Sequence, residues 1–161
     1  MVNNPKYIIL HHSADQTPGN QLKRIENWHK FRFNMLSRRG FWTGYHFLIE
    51  RSGEVIQTRD LNEEGAHCKG RNLESVGVCL AGNFDFEIPT EKQLDALINL
   101  FENLQIRIKN KEVPTYYHFR FADTHCPGFY FQGKAEAAFV KDIKINLVQR
   151  LILWISKLLR N

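Results

Sequence analysis

The sequence predicts an α/β fold: a single domain with a central mixed β-sheet flanked by helices, extended by a long C-terminal amphipathic helix. Three observations lead there. The length of 161 residues suits one domain with a real core. Short β-prone apolar runs alternate with segments of helical period. Hydrophobic residues at 43% and charged residues at 24%, without repeats or low-complexity tracts, describe an ordered globular chain. Residues 1–134 form the expected domain and 135–161 the added helix.

Tyr7-Ile8-Ile9-Leu10-His11-His12 is an apolar strand that ends in two histidines and runs into the turn-rich stretch Ser13 to Asn20. Neighbours on a strand point to opposite faces, so only one of His11 and His12 faces a given cleft. Parity alone does not choose between them. Gln21 to Phe33 has helical period, with Leu22, Ile25, Trp28 and Phe33 on its apolar side and Lys23, Arg24, Lys30 and Arg32 outward. Trp28 is expected in the core and His29 as a hydrogen-bonded structural histidine. A basic loop, Asn34 to Gly40, leads through Phe41-Trp42-Thr43-Gly44 into a strand from Tyr45 to Glu50. Arg51-Ser52-Gly53 turns the chain and Glu54 to Gln57 returns as a hairpin. Gly44 is expected to leave open space beside the Tyr45 phenol.

Residues 60–73 lack periodicity but contain Gly65-Ala66-His67-Cys68-Lys69-Gly70-Arg71-Asn72, a polar, glycine-flanked loop of the kind that lines clefts. Ser75 to Gly82 reads as a buried strand, with Cys79 as a small core hydrophobe. Thr90 caps a long helix whose stripe is Leu94, Leu97, Ile98, Phe101, Leu104 and Ile108, ended by Lys109-Asn110-Lys111. Val113 to Tyr117 is a short edge strand. Ala135 to Arg160 carries a last helical stripe, and two readings stay open for it. One is a helix packed on the domain; the other is an amphipathic helix in an anionic membrane surface, with Trp154 at the interface. Charges interrupt it too often for a transmembrane span.

The net charge is +5, and residues 135–161 hold +3 of it, with Lys141, Lys144, Arg150, Lys157 and Arg160 against Glu136 and Asp142. Charge gathered at one end suits a membrane or cell wall and argues against a nucleic-acid partner. Cys68, Cys79 and Cys126 are odd in number and irregular in spacing, which argues against a disulfide framework and fits a reducing cytoplasm. The opening Met1-Val2-Asn3-Asn4-Pro5-Lys6 lacks the zones of a signal peptide, so synthesis in the cytoplasm without export signal is expected.

The chemistry concentrates in His118-Phe-Arg-Phe-Ala-Asp-Thr-His-Cys-Pro-Gly128. His118 and Cys126 are good ligands for a borderline-soft ion such as zinc, and the Pro-Gly turn fixes the backbone beside the thiol. A catalytic zinc usually has three protein ligands and one open position. Asp123 and His125 flank the motif, but their closeness in sequence to Thr124 and Cys126 tends to point them away. The histidine pair at the end of the first strand is the best remote source. Two neutral imidazoles and a thiolate leave the ion a net charge of about +1 and able to acidify a water to a pKa of about 7, which is hydrolase chemistry.

These segments resemble the zinc-dependent N-acetylmuramoyl-L-alanine amidases, which share a fold with peptidoglycan recognition proteins and include small phage endolysins. The matching stretches are Ile9 to Ala14, Trp28-His29-Lys30, Gly44 to Phe47, Gly65 to Asn72, Ser75 to Leu80 and His118 to Gly128, in the family's order over residues 7–132. The resemblance implies His11, His118 and Cys126 as zinc ligands, which makes His12 a neighbour and His125 a bystander. It implies Tyr45 as a phenol beside the reacting centre and Thr124 as a hydroxyl that stabilises the oxyanion. His67 and Asn72 fall in a loop that lines the family's substrate groove and are candidate substrate-binding residues. The reaction implied is hydrolysis of the amide between muramic acid and L-alanine in peptidoglycan by a zinc-activated water. No Glu or Asp in the matched segments stands out as general acid.

Two related functions compete. Some relatives bind peptidoglycan without cutting it, but such receptors typically lack the cysteine ligand. Cytoplasmic amidases that recycle anhydro-muropeptides suit a chain without export signal, but they tend to have Asp as third ligand and a carboxylate where Cys79 stands. The expectation is therefore a phage or prophage endolysin, made in the cytoplasm and released onto the wall.

Overall fold

The computed structural model describes residues 2–108 and 113–131. The expected C-terminal helix over 135–161 lies outside the described residues, as does its membrane reading. Within them, no helix is long and apolar enough to cross a membrane.

Five strands form one mixed sheet in the order β3-β2-β4-β1-β5. These are β1 (Tyr7–His12), β2 (Phe47–Ile49), β3 (Val55–Gln57), β4 (Ser75–Leu80) and β5 (Thr115–Tyr117). Only the β2–β3 hairpin is antiparallel; β2, β4, β1 and β5 run parallel. Nearly every residue of β1 and β4 is buried, as expected of parallel strands covered on both faces.

Among the described residues, two helices supply the cover. Helix α2 (Glu91–Arg107) packs Leu97, Ile98, Phe101 and Leu104 against Ile8, Leu10, Val76, Val78 and Leu80. Thr90 caps it in a reciprocal capping box with Gln93. The buried Gln93 amide then donates to the carbonyls of Ile49 and Ala81, tying the helix start to the ends of β2 and β4. Helix α1 (Gln21–Phe33) covers the other face, where Ile25 meets Leu48, Cys79 and Ala81.

Helix α1 has the predicted bounds but not the predicted face. It buries Gln21, Ile25 and His29, one residue per turn, and leaves Trp28 58% exposed. The buried polar pair is satisfied by distant partners: Gln21 accepts from Ser13 and donates to the Asp15 and Thr17 carbonyls, and His29 Nδ1 accepts from the Gly44 N–H at 2.7 Å. With those bonds made, the helix turns its polar stripe inward. Trp28 is therefore surface, not core.

Two further expectations are corrected before β2. The strand begins at Phe47, not Tyr45, because the His46 carbonyl accepts from the N–H groups of both Thr58 and Arg59, and two residues facing one interrupt the pleat. Tyr45 consequently lies with Leu48 and Cys79 on the α1 side. Gly44 borders no open space: a Cβ there would overlap the Ala66 carbonyl. Its own carbonyl accepts from the Ala66 N–H at 2.9 Å, so the glycine lets two loops touch.

Candidate metal centre

Parallel strands bring their carboxyl ends to one edge of a sheet, and ligand sites of open α/β sheets gather there. β1 and β5 are paired through Leu10 and Tyr117, so the next step of each chain sets His11 beside His118, with ring centroids 4.4 Å apart. A short 3₁₀ turn (His118–Arg120) then leads to Cys126, whose thiol returns to within 3.7 Å of His11 Nδ1. Ligand atoms of His11, His118 and Cys126 all lie within 4.8 Å of one another. A tetrahedral zinc with bonds of about 2.05 Å to nitrogen and 2.3 Å to sulfur has an N–S edge of about 3.6 Å, so the three donors fit it in type and the Cys126–His11 pair fits it in spacing.

The strand parity left open by the sequence is resolved by what each face meets. His11 shares the α1 face with Cys79, its register partner on β4. His12 points the other way, where its Nδ1 accepts from the Phe84 N–H at 3.1 Å. Asp123 and His125 are exposed.

Burial sets the charge states. It holds the His11 imidazole well below its ordinary pKa, with further lowering from His67 and His118, and it lowers His118 too. Both rings are neutral at pH 7, as metal ligands must be. Burial pushes the Cys126 thiol up to about 12, although the His12 backbone N–H donates to its sulfur. Burial also keeps the Tyr45 phenol protonated, with the nearby Cys79 and Cys126 adding to the rise.

Tyr45, Thr124 and Cys126 share the wall of a cleft of about 430 Å³, which continues past Arg24 and Trp28 on α1. Tyr45 packs on the face that carries Cys79, and Thr124 Oγ1 accepts from the Cys126 N–H at 3.2 Å. His67 and Asn72 take other positions. His67 stands beside His11, with its Nδ1 3.1 Å from His11 Nε2. Asn72 Oδ1 accepts from the backbone N–H groups of His67 and Cys68 and so shapes their loop.

The N-acetylmuramoyl-L-alanine amidase family model matches residues 1–129. The chain belongs to this amidase family. An endolysin of Klebsiella phage KP32 is 34% identical over 129 residues, covering 76% of this chain and 80% of the phage protein. A peptidoglycan-recognition protein 2 of Holotrichia diomphalia is 34% identical over 94 residues, 56% of this chain, and the match spans about half of the insect protein, 49%. Among solved structures, an amidase from Clostridium intestinale has a TM-score of 0.70 at 29% identity, covering 90% of this chain and 86% of its own.

Sequence reasoning missed several parts of this amidase site. Trp28, Ser75 and Gly77 lie within the stretches that carry the resemblance, but sequence reasoning assigns neither them nor Arg24 a role at the site. A signal for Ser75 and Gly77 does exist. Ser75, Gly77 and Cys79 alternate with Val76, Val78 and Leu80, so one face of β4 carries only small side chains and leaves room above it.

Proposed function

We propose that this amidase hydrolyses the amide between N-acetylmuramic acid and L-alanine in peptidoglycan, with one zinc ion held by His11, His118 and Cys126. The observation that carries the reading is the convergence of two imidazoles and a thiol within 4.8 Å of one another, beside the cleft that Cys126 shares with Tyr45 and Thr124. Bound there, zinc supplies Lewis acidity that brings the pKa of a water to about 7.

The chain's own residues do the rest. Tyr45 and Thr124 offer hydroxyl donors to the oxygen that gains negative charge as the amide is attacked. Such donors act strongly in a partly dry cleft. The leaving amine needs a proton, and Tyr45 Oη, one of the hydroxyls on the cleft wall, would relay to it the proton that the attacking water gives up. Asp15, also on that wall, is a poor acid: burial would raise its pKa, but hydrogen bonds from Thr17 and Arg24 hold it down to about 2.

The phage relative supports an endolysin, for which we propose synthesis in the cytoplasm and action on the wall, and the complete donor set favours hydrolysis over recognition alone. The test is mass analysis of purified peptidoglycan after digestion, with and without a chelator. Expected products are stem peptides with a free L-alanine amino group and glycan strands without peptide, both lost on chelation. An intact muramic acid–alanine bond after digestion by the zinc-loaded protein overturns the reading.

A further inference from the structure

His67 is held too tightly, and by too specific a set of contacts, to be a free groove residue. Its ring stands in a slot between two glycines. A Cβ on Gly65 or on Gly77 would come within 2.6 Å of the ring carbons, so only glycine at both positions leaves room. The His11 and His46 rings meet it edge-on at 5.1 and 5.7 Å between centroids. Asn72 fixes the backbone on either side through the His67 and Cys68 N–H groups. Both ring nitrogens have partners: Nδ1 is 3.1 Å from His11 Nε2, and Nε2 makes a long 3.5 Å contact to Ser75 Oγ.

The direction of these bonds follows from the far end. The Arg71 carbonyl can only accept, and Ser75 Oγ lies 2.7 Å from it, so the single serine proton is donated there. Ser75 Oγ therefore faces His67 with a lone pair and takes the proton of His67 Nε2. A neutral imidazole carries one N–H, so His67 Nδ1 is an acceptor. His11 then donates from Nε2, and its Nδ1 is left with a lone pair beside Cys126. In the opposite arrangement Ser75 Oγ and His67 Nε2 would oppose two lone pairs. The His11 proton would then sit on Nδ1, the atom nearest Cys126.

We propose that His67 and Ser75 are positioning residues that select the Nε2–H tautomer of His11, presenting His11 Nδ1 as a donor atom to the centre it shares with His118 and Cys126. The choice is between two neutral forms of one ring and involves no change of charge. A ligand histidine held by a partner at its other nitrogen is the common arrangement at metal sites, and losing that partner costs about 10- to 100-fold in metal affinity. Here the partner is a second histidine, itself directed by a serine and a main-chain carbonyl. The consequence for affinity rests on the zinc reading above; the tautomer does not.

The test uses the full-length chain, ¹⁵N-labelled, with long-range ¹H–¹⁵N spectra of the imidazoles at neutral pH, both metal-free and zinc-loaded. The metal-free wild type is expected to carry its His11 and His67 protons on Nε2. Zinc affinity, read by competition with a chromogenic chelator, is expected to fall about 10- to 100-fold in His67→Phe, which fills the slot without an acceptor. In His67→Gln, whose amide oxygen accepts from His11 Nε2–H, it is expected to stay within about threefold of wild type. Ser75→Ala should mix the His67 tautomers. A His11 proton on Nδ1 in the wild type overturns the proposal, as does equal zinc affinity of wild type and His67→Phe. If His67→Phe fails to fold, the wild-type spectrum and the Gln variant still decide. A zinc-loaded protein with the expected tautomers that leaves peptidoglycan uncut would defeat the hydrolase reading alone.

Discussion

The backbone N–H of His12 donates to Cys126 Sγ at 3.4 Å, although 114 positions separate the two residues. The strand that provides one donor atom thus also supports the sulfur of another. That single bond does not offset burial, which leaves the thiol pKa near 12 in the metal-free protein. Zinc must displace this proton, whereas the neutral imidazoles have none to lose. Below the thiol pKa, zinc affinity is therefore expected to rise about tenfold per pH unit between pH 7 and 9. Titration calorimetry in buffers of different ionisation enthalpy should find about one proton released per zinc. A pH-independent affinity would remove Cys126 from the ligand set.

Cys126→Ser tests the same donor directly. Zinc retention and hydrolysis should fall together, by more than the roughly 100-fold seen when only an outer partner is lost. Metal analysis beside muropeptide release separates the outcomes, since cleavage by a zinc-free variant contradicts the mechanism.

Tyr45→Phe removes a hydroxyl and little else. We expect kcat to drop by about 10² to 10³, the usual cost of losing one oxyanion donor, with zinc affinity unchanged. Thr124→Val should lower kcat as well, and Thr124→Ser should restore it, because the same oxygen also receives the Cys126 N–H. A rise in KM at constant kcat in either variant would assign these residues to substrate binding instead.

Trp28 faces the cleft from the exposed side of α1. Trp28→Ala should therefore leave thermal stability within about 0.5 kcal/mol of wild type, where a core tryptophan would cost about 3–5 kcal/mol. It should raise KM for polymeric wall. Thermal melts and steady-state kinetics on the same preparation distinguish the two.

His29 and His46 should make the fold sensitive to mild acid. Burial holds both near pH 4, assisted by Arg59 and, for His46, partly offset by its bond to the Glu63 carbonyl. Both pKa values are lowered on folding, so their stability contribution is present above about 6.5 and is lost as pH falls toward 4. Each can account for about 1–2 kcal/mol between pH 7 and 5. Urea unfolding across that range is expected to give a falling midpoint, flattened in His46→Gln.

The sequence made His118 and Cys126 legible as a candidate ligand pair because few residue types bind soft cations, while His11 came in through the family resemblance. It also made the bounds of α1 and the capped start of α2 at Thr90 legible. The choice of His11 over His12 depended on which helix covers which face of β1, a relation among residues far apart in the chain. Trp28 was misread for a related reason: period identifies a stripe, but the arc of α1 that meets the sheet is set by Gln21 and His29 finding partners at Asp15 and Gly44. Gly44 posed the same difficulty, since a glycine marks either empty space or close approach. Only the Gly65–Ala66 loop, brought in from elsewhere, decides which.

The centre joins the first strand of the domain to the segment that closes it. A chain that ends between residues 118 and 125 contains β1, α1 and the other strands of the sheet, yet it lacks one of the three donors. The five strands and two helices of the described residues thus precede the last donor along the chain. On the function proposed above, a product that ends before Cys126 would fold much of the sheet without the full donor set.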